Sequence, residues 1–558
     1  MTDISQLVTE EISKAINISM ENGGLPKCSL PNISIERPQD KNHGDFACAI
    51  SLKLAGILKV NPMNIAQTIV SNIATNGIIS EKNIVPPGFI NLTLNVNWLA
   101  DQVISIRTNP DGFTKLAIGN GKKIQIEYVS ANPTGRLHVA HIRGAVVGST
   151  IANILKSTGY DVHQEYYIND AGTQIDNFNK SLLIRYKQLF DINIDMPEGL
   201  YPGEDIISLA KEIKATEGSK YLEWNESKAA LKIGALGKKL ILSLIESDLK
   251  LLGVKFDNWF SEKTLLDTNE FQKCLGFIKE SGYTEKKDGA IWLSTSKLGE
   301  EKDNVLIRNT GTPTYYATDI AYHFNKFKIR EFTKVIDVWG ADHHGQVPRL
   351  KKALSILDID SSNLEVILVQ MVRFKKGPIT EKLSKRKGTA IPLIDLIEEI
   401  GPDACRYMFL SKSHDSQVEF DLELTKKQSS ENPIYYIQYA HARICSILES
   451  ANQQKIPYDT HLQKIIYNSK PELELIKKLL EFPEILALSS NNLAAHYIPH
   501  YSLELAGLFH LFYHQCRVIS KSKEELSTSI SRLLLCDVTR IILDKCLNIM
   551  GMASPEKM

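Results

Sequence analysis

Residues 122–141 read KKIQIEYVSANPTGRLHVAH, a stretch in which a strand pattern passes through a turn into a helix pattern. Apolar and polar side chains alternate from Lys122 to Val129, which predicts a β-strand, and Ser130 to Gly135 are mostly turn-forming residues. Apolar residues recur at helical spacing from His138 to Ser157, and Val162–Ile168 has the pattern of a second strand. This order of strand, helix and strand predicts the start of a doubly wound parallel sheet.

Strand patterns return further along the chain, at Val305–Arg308, Val335–Trp339 and Val366–Val372. Between the two groups of strands, residues 176–300 contain long helical stretches, and we interpret this range as an insertion. The predicted fold class is therefore α/β, with a Rossmann-like central domain over residues 111–425.

The two ends of the chain have different patterns from the centre. Residues 1–110 mix an amphipathic helix over residues 1–20, a helix over Gly44–Ile57 and a strand over Phe89–Val96, which predicts a small α+β domain. Residues 426–558 are almost wholly helical in pattern and predict an all-α bundle. The helices predicted there are Pro433–Glu449, Pro471–Leu486, Ala494–Val518 and Ser527–Met550.

Bulk composition limits the classes of function. With 558 residues the chain is too long for one core, and its 65 Lys and Arg balance its 65 Asp and Glu, so a surface that binds nucleic acid must be local. No apolar run is long enough to cross a bilayer, and residues 1–11 lack the pattern of a signal peptide. The eight cysteines form no Cys-x-x-Cys pair, which predicts free thiols in a reducing compartment. We expect a cytoplasmic protein that has no membrane association and no tightly bound metal.

His138 and His141 lie three residues apart, on one face of the first turn of the predicted helix. The N-terminus of a helix favours anions because its dipole and its free N–H groups point there. Surface histidines or a metal site are the alternatives, although no third metal ligand stands nearby in the sequence. The strand and turn before the pair favour phosphate binding.

Residues 382–389, KLSKRKGT, form a short basic segment that contains Lys382, Ser384 and Lys385. A run of charges is usually a solvated face, but the glycine and threonine at the end of this run favour a loop. A cationic loop suits a reaction in which negative charge moves onto pyrophosphate. Together, the paired histidines and the basic segment predict a site that splits ATP at its α-phosphate.

Six further polar residues are candidates for a binding pocket: Glu127, Ser130, Asn132, Tyr315, Asp319 and Gln346. The first three lie at the end of the first strand, where ligands bind in sheets of this kind. The next two are four residues apart on a predicted helix and face the same way. The last ends the segment WGADHHGQ, residues 339–346, which is as typical of metal ligands as of a nucleotide pocket. Turn chemistry, aromatic packing and helix capping are the alternative interpretations of these residues.

The chain resembles the arginyl-tRNA synthetases of bacterial type, which are class I aminoacyl-tRNA synthetases, over nearly its whole length. Residues 126–135, IEYVSANPTG, lead into the family's HIGH element at 138–141, and residues 382–386 correspond to its KMSKS element. Three further segments match those typical of arginine specificity and of the anticodon-binding bundle: EYYINDAG at 165–172, TDIAYH at 318–323 and NPIYYIQYAHAR at 432–443.

This resemblance implies a ligase of protein biosynthesis that uses ATP with Mg²⁺. L-Arginine and ATP would give arginyl-adenylate and pyrophosphate, and tRNA(Arg) would then take the arginyl group with release of AMP. The catalytic residues implied are His138, His141, Lys382 and Lys385. Those implied for ATP binding are His138, Ala140, His141, Ser384 and Lys385. Glu127, Tyr315 and Asp319 would surround the guanidinium, and Ser130, Asn132, His141 and Gln346 the head of the amino acid.

The resemblance also implies contacts with tRNA(Arg) in the catalytic cleft, on the N-terminal domain and on the helical bundle. Tyr439, Tyr513 and Met558 are the candidates on the bundle, with a tyrosine packed in the core as the alternative for Tyr513. Relatives need bound tRNA to form the adenylate and are commonly monomers, and we expect both properties here.

Three other functions remain open at the level of sequence. A class I synthetase for cysteine or glutamate is one, although the Cys/His zinc site of the cysteine enzymes cannot be assembled from this chain. A tRNA-binding relative without activity is the second, and it is favoured only by Ala140, which replaces the usual glycine and can crowd ATP. Leu383 stands where the KMSKS element has methionine, and this exchange nearly conserves the volume of the side chain, so it does not favour an inactive relative. A nucleotidyltransferase of the same superfamily is the third, and it would have no use for the two terminal domains.

Overall fold

The N-terminal part of the chain is an antiparallel sheet covered by helices. The computed structural model describes residues 3–375, 391–458, 465–520, 522 and 525–558. The first helix forms because Ile4, Val8, Ile12 and Ile16 recur on one face, and all four side chains are buried. In chain order the elements are α1 (Ile4–Glu21), β1 (Ile35–Glu36), β2 (Phe46–Cys48), α2 (Ile50–Leu58), α3 (Pro62–Ser71), β3 (Ile79–Val85), β4 (Phe89–Leu94), α4 (Val96–Thr108) and α5 (Pro110–Thr114).

The strands of this first sheet pair in the order β1-β2-β4-β3. The prediction of a single helix over Gly44–Ile57 is wrong in its first part, since β2 lies there and the helix begins only at Ile50. Phe46 and Cys48 are buried, Ala47 between them is less so, and the three residues pair with β4. Three residues are too few for spacing alone to distinguish a strand from a helix turn, so the pairing with β4 decides.

The central part contains the parallel sheet that the sequence predicts. Its elements in chain order are β5 (Lys123–Glu127), α6 (Val139–Ser157), β6 (Asp161–Ile168), α7 (Thr173–Gln188), α8 (Glu204–Glu217), α9 (Glu226–Leu251), β7 (Asn258–Ser261), α10 (Glu262–Asp267), α11 (Glu270–Glu280), β8 (Thr284–Lys287), β9 (Ala290–Leu293), β10 (Asn304–Ile307), α12 (Tyr315–Phe324), β11 (Lys334–Gly340), α13 (Val347–Ile356), β12 (Leu364–Val369) and β13 (Val372–Phe374). Five strands pair in parallel in the order β12-β11-β5-β6-β7. The sheet grows outward from β5 in one direction and then from β11 in the other, so the switch point lies between these two strands. The predicted α/β, doubly wound fold class is confirmed.

Two strands of the central part differ from the prediction, one because its range was interpreted as an insertion and the other because it joins a different sheet. β7 falls inside the range 176–300 that the sequence predicts as an insertion, yet it pairs with β6 and forms one edge of the parallel sheet. β10, which covers most of the pattern at Val305–Arg308, joins β8 and β9 in a separate antiparallel sheet. The helices α7, α8 and α9 of the same range pack on one another.

The C-terminal part is helical apart from one short strand. Its elements are α14 (Leu393–Ile400), α15 (Pro402–Leu410), β14 (Val418–Phe420), α16 (Leu422–Thr425), α17 (Pro433–Gln453), α18 (Lys470–Leu480), α19 (Phe482–Asn491), α20 (Tyr497–Gln515) and α21 (Leu526–Met550). The prediction of one helix over Pro471–Leu486 is wrong, because Pro483 lies in the first turn of α19 and cannot continue α18. In the described part of the chain, none of the helices combines the length and the apolarity that crossing a bilayer requires. The domain boundaries near residues 110 and 425 stay predictions.

Arg406 on α15 connects three parts of the structure and is almost completely buried. Its guanidinium donates hydrogen bonds to the carbonyl of Met550 at the end of α21 and to that of Leu252 after α9. It also donates to the hydroxyls of Ser149 and Thr150 on α6, at 3.0 and 3.1 Å. No carboxylate among the described residues forms an ion pair with it, and burial lowers its pKa to about 10. Arg406 therefore satisfies acceptors that would otherwise be buried without partners.

We expect Arg406→Ala to lower the free energy of unfolding by about 3 kcal/mol or more, because it leaves several buried acceptors without donors. The midpoint of thermal unfolding, followed by circular dichroism, measures this loss. Arg517→Ala is the control, since that side chain is exposed and makes only a local contact. Equal midpoints for the two variants would contradict the role given to Arg406.

Candidate active site

A cavity of about 860 Å³ opens at the carboxyl ends of β5, β11 and β12. It lies at the switch point of the sheet, which is where doubly wound folds bind their ligands. Its walls come from the turn after β5, the first residues of α6 and the ends of β11 and β12. Of the residues that the sequence suggests for the site, the cavity brings together Ser130, Asn132, His138, Ala140 and His141.

The two histidines lie side by side at the start of α6. His138 is the residue before the first helical turn, and the centroids of the two imidazole rings are 4.0 Å apart. The backbone N–H of His138 donates to Nδ1 of His141 at 3.3 Å, so the proton of a neutral His141 lies on Nε2. Burial lowers the pKa of His138, and burial together with the charge of His138 lowers the pKa of His141 to about 4. Both rings are therefore neutral hydrogen-bond donors at pH 7.

The residues that follow the basic segment form hydrogen bonds with the N-terminus of α6. The N–H of Val139 donates to the carbonyl of Ile391 at 2.9 Å, and the N–H of Leu393 donates to the carbonyl of Leu137 at 2.9 Å. Phe374 and Ile391, which flank residues 376–390, both line the cavity. Lys382, Ser384 and Lys385, which the sequence predicts for the site, lie outside the described residues.

The turn after β5 has an unusual backbone. Val129 has φ of 72° and Ser130 has φ of 43°, both in the left-handed region that a β-branched residue such as valine rarely occupies. This conformation turns the chain back so that the hydroxyl of Ser130 donates to Oε1 of Glu127 at 2.8 Å and accepts from the N–H of Tyr167 at 3.2 Å. Asn132, further along, donates to Oε1 of Gln174 at 2.6 Å. The turn thus fixes the side chains that line this side of the cavity.

Glu127 does not line the cavity, because internal partners hold both of its oxygens. Lys326 is fully buried and donates to Oε2 of Glu127 at 2.7 Å and to Oδ1 of Asp337 at 2.8 Å. His323 lies 2.7 Å from the other oxygen of Asp337. Burial raises the pKa of Glu127 despite the charge of Lys326. Glu127 therefore lies behind Ser130, bonded to Lys326, and its carboxyl is not part of the cavity wall.

Tyr315 and Asp319 lie one turn apart on α12, and Tyr315 is 48% exposed. The carboxyl of Asp319 is half-buried and forms no ion pair with any described residue. Burial raises its pKa to about 8, and the charges of Glu127, Glu262 and Asp337 add to the shift. In the absence of a cation this carboxyl is therefore mostly protonated at neutral pH.

Glu262 is a member of the acidic group that the sequence reasoning missed. It begins α10 immediately after β7, and its side chain is buried. Burial raises its pKa to about 7, and the charge of Asp170 contributes. Its Oε2 and the hydroxyl of Tyr167 are buried atoms that lack a well-formed hydrogen bond within the described residues. A carboxyl directly after a strand could have indicated Glu262, but β7 lies in the range that the sequence analysis interprets as an insertion.

Gln346 is half-buried between the 3₁₀ helix Ala341–Gln346 and α13, and it is not part of the cavity wall. Asp342 and His343 of the same 3₁₀ helix do line the cavity. Within the described residues, no three His, Cys, Asp or Glu side chains are grouped so that they could hold a metal ion.

A second polar surface lies on the helical bundle. The rings of Tyr435 and Tyr439 stack with centroids 6.0 Å apart and an interplanar angle of 10°. The guanidinium of Arg443 lies 5.5 Å from the ring of Tyr439 and 4.8 Å from that of Tyr513. The structure thus brings Tyr439 and Tyr513 to one cation, while Met558 is 54% exposed at the end of the chain. Aromatic rings beside an arginine can stack on the bases of single-stranded RNA.

Three known families account for nearly the whole chain. The arginyl tRNA synthetase N terminal domain matches residues 2–94, the catalytic domain of tRNA synthetases class I (R) matches residues 105–444, and the DALR anticodon binding domain matches residues 437–558. The family of the catalytic domain alone thus covers more than half of the sequence.

Similar whole proteins have the same description. The arginine–tRNA ligase of Dehalococcoides mccartyi is 45% identical over 555 residues, which cover 100% of this chain and 99% of that protein. A solved structure described as an arginyl-tRNA synthetase of Campylobacter jejuni is 35% identical, with a TM-score of 0.75 over 83% of this chain and 100% of that one. The Thermus thermophilus arginyl-tRNA synthetase covers 100% of both chains at 19% identity with a TM-score of 0.74, which shows the shared fold. The chain therefore belongs to the arginyl-tRNA synthetases, a family of class I aminoacyl-tRNA synthetases.

Proposed function

We propose that the cavity between α6 and the sheet is where this arginine–tRNA ligase joins arginine to ATP. Arginine would attack the α-phosphate, pyrophosphate would leave, and tRNA(Arg) would take the arginyl group from the adenylate. The observation that carries this assignment is the pair of neutral imidazoles at the N-terminus of α6, inside a cavity at the switch point. A helix N-terminus and fixed N–H donors stabilise the charge of a pentavalent phosphate.

The reaction itself is the first test. We expect the purified protein to exchange pyrophosphate into ATP when L-arginine and tRNA(Arg) are present, and to lose this exchange when either is omitted. Cysteine or glutamate in place of arginine tests the other class I specificities, and neither should support exchange. Arginine-dependent charging of the tRNA completes the assay. A protein that binds tRNA but never exchanges pyrophosphate would favour a relative that has lost activity.

His138 and His141 would donate hydrogen bonds to the oxygens of the α-phosphate, with no proton taken from the substrate. The low pKa of His141 keeps the ring neutral, which suits a donor. Ala140 lies exposed between them on the cavity wall, where the ribose or adenine would approach the backbone. Lys382, Ser384 and Lys385 would bind the departing phosphates, a role that rests on the sequence alone. Mg²⁺ would enter with ATP, as a ligand of its phosphates.

We expect His138→Ala to lower kcat for pyrophosphate exchange by about 100-fold, which is typical of losing one donor to a developing oxyanion. The dissociation constant of arginine, measured by calorimetry, should stay within twofold. His344→Ala is the matched control, because His344 lies in the 3₁₀ helix Ala341–Gln346 and is exposed outside the cavity. Wild-type exchange in the His138 variant would exclude the proposed role.

The guanidinium of arginine would bind among the carboxyls behind Ser130. Asp319 and Glu262 have no cationic partner among the described residues, whereas Glu127 and Asp337 share Lys326. Tyr315 would cover the pocket from the same face of α12, and the hydroxyl of Tyr167 would gain a partner. Ser130, Asn132, His141 and Gln346 would bind the α-amino and carboxylate groups. A planar guanidinium pairs with two carboxylates, which an ammonium on a flexible stem does less well.

This pocket predicts that arginine binds more tightly as the pH rises. The pKa of Asp319 is about 8 and that of Glu262 about 7, so both carboxyls are largely protonated at pH 6, and a guanidinium favours their ionised forms. Linkage then makes the dissociation constant of arginine fall by about tenfold or more between pH 6 and pH 8. Calorimetry at several pH values, in buffers of different ionisation enthalpy, measures both the affinity and the protons released.

The control for this pH dependence is Glu262→Gln, which keeps the shape of the side chain and removes one titrating group. We expect that variant to release fewer protons and to have a shallower pH dependence. An affinity that does not change between pH 6 and pH 8 would contradict the proposed protonation of the pocket.

On the bundle, Tyr439, Tyr513 and Met558 would contact the anticodon loop of tRNA(Arg), with Arg443 between the two tyrosines. The stacked rings and the cation are what support this assignment. We further propose that the protein acts in the cytoplasm as a monomer, and that the N-terminal domain contacts the elbow of the tRNA. The proposed domains are residues 1–110, 111–425 and 426–558.

A further inference from the structure

Arg143 lies on α6, two residues after His141, and is 1% exposed. Its Nη1 donates to the carbonyls of Gln370 and Ser416, each at 2.9 Å, and its Nη2 donates to the carbonyl of Ser413 at 2.6 Å. No carboxylate of the described residues forms an ion pair with the guanidinium, and burial lowers its pKa although the charge of Asp415 opposes the shift. A buried arginine that lacks an ion pair is costly, so its hydrogen bonds need a structural or functional reason.

The three carbonyls belong to two chain segments, and the segment at Gln370 forms part of the cavity wall. Gln370 follows β12, and the next residues, Met371 and Val372, also line the cavity. Ser413 and Ser416 lie in the loop that leads into β14. The N–H of Gln370 donates to the carbonyl of His414 at 2.9 Å, and β13 then pairs in parallel with β14. Arg143 therefore holds both segments to the helix that carries the paired histidines.

We infer that Arg143 is a positioning residue for ATP, which sets the distance between the α-phosphate donors and the opposite wall of the cavity. This inference rests on the proposed function of the cavity. The bond from Arg143 and the bond from the N–H of Gln370 to His414 hold the wall at Gln370–Val372, in which Met371 is 75% exposed. Without the guanidinium, the carbonyls of Gln370 and Ser416 would lose their donor, whereas that of Ser413 would keep the N–H and the hydroxyl of Ser416. The wall would then move relative to the imidazoles. A shift of about 1 Å at a reacting group can lower a rate by two orders of magnitude.

The role predicts a selective kinetic effect. Glu262 and Asp319, which are proposed to bind the arginine side chain, lie on α10 and α12, and neither is a hydrogen-bond partner of Arg143. Loss of Arg143 should thus weaken the binding of ATP and leave the binding of arginine unchanged. A purely structural role would instead weaken the binding of both substrates, because the whole site would become less ordered.

The test uses Arg143→Met and Arg143→Lys in the full chain with tRNA(Arg). For Arg143→Met we expect KM for ATP in pyrophosphate exchange to rise by about tenfold or more, with the dissociation constant of arginine within twofold of wild type. Arg143→Lys keeps one cationic donor but cannot bond three carbonyls, so its KM for ATP should fall between that of Arg143→Met and that of wild type. Equilibrium dialysis with ATP alone gives a second measure of the same effect.

Arg136 provides the matched control. It lies two residues before His138, and its Nη2 and Nε donate to Asp248 of α9, at 2.5 and 3.2 Å, away from the cavity wall. Arg136→Met should lower the thermal midpoint and leave KM for ATP within twofold of wild type. If Arg143→Met does not fold, Arg143→Lys decides by the same criterion.

The outcomes separate the two proposals. Wild-type protein that fails to exchange pyrophosphate with arginine would overturn the proposed function. Active wild-type protein combined with an unchanged KM for ATP in the Arg143 variants would overturn only the positioning role. Equal rises in the constants for ATP and for arginine would also overturn it, in favour of a structural role.

Discussion

The buried ion pairs of Lys326 join β5 to β11, the two strands between which the sheet reverses its direction of growth. Glu127 comes from β5 and Asp337 from β11, and the lysine bonds both. Burial alone would raise the pKa of Asp337, but the charges of Lys326 and His323 lower it to about 2. Without the lysine, two buried carboxylates would face each other at the centre of the sheet, which is strongly unfavourable. The same pairing leaves Asp319 and Glu262 without a cation among the described residues.

The bundle is connected to both other parts of the molecule by polar contacts as well as by apolar packing. Arg37 of the N-terminal part forms a bidentate pair with Glu484 of α19, at 2.7 and 2.9 Å, and Lys477 of α18 lies 2.6 Å from Asp45. Arg406 makes the corresponding connection to the central sheet. Exposed ion pairs contribute little to stability, so the partly exposed pairs of Arg37 and Lys477 mainly define orientation, while Arg406 is buried and stabilises the junction.

Local sequence patterns predict the elements that carry the histidines, but not the long-range contacts around the cavity. β5, α6 and β6 follow from alternation, helical spacing and turn residues within about fifty positions of the chain. Lys326 lies 199 residues from Glu127, and Arg143 lies 227 residues from Gln370. No periodicity relates such partners, so the acidic group was only partly predicted from the sequence. Glu262 was missed for a second reason, since a long helical range hid the edge strand that precedes it.

Val129 and Ser130 have positive φ angles, which residues other than glycine rarely adopt. This backbone strain costs on the order of 1–3 kcal/mol for each residue. A glycine at 129 would relieve this cost and would also let the bend sample many shapes. The fold is thus less stable than it could be, and one rigid corner is kept beside the cavity. Variants selected only for heat resistance would accumulate substitutions at this corner. Those that relax the strain would be more stable and less active.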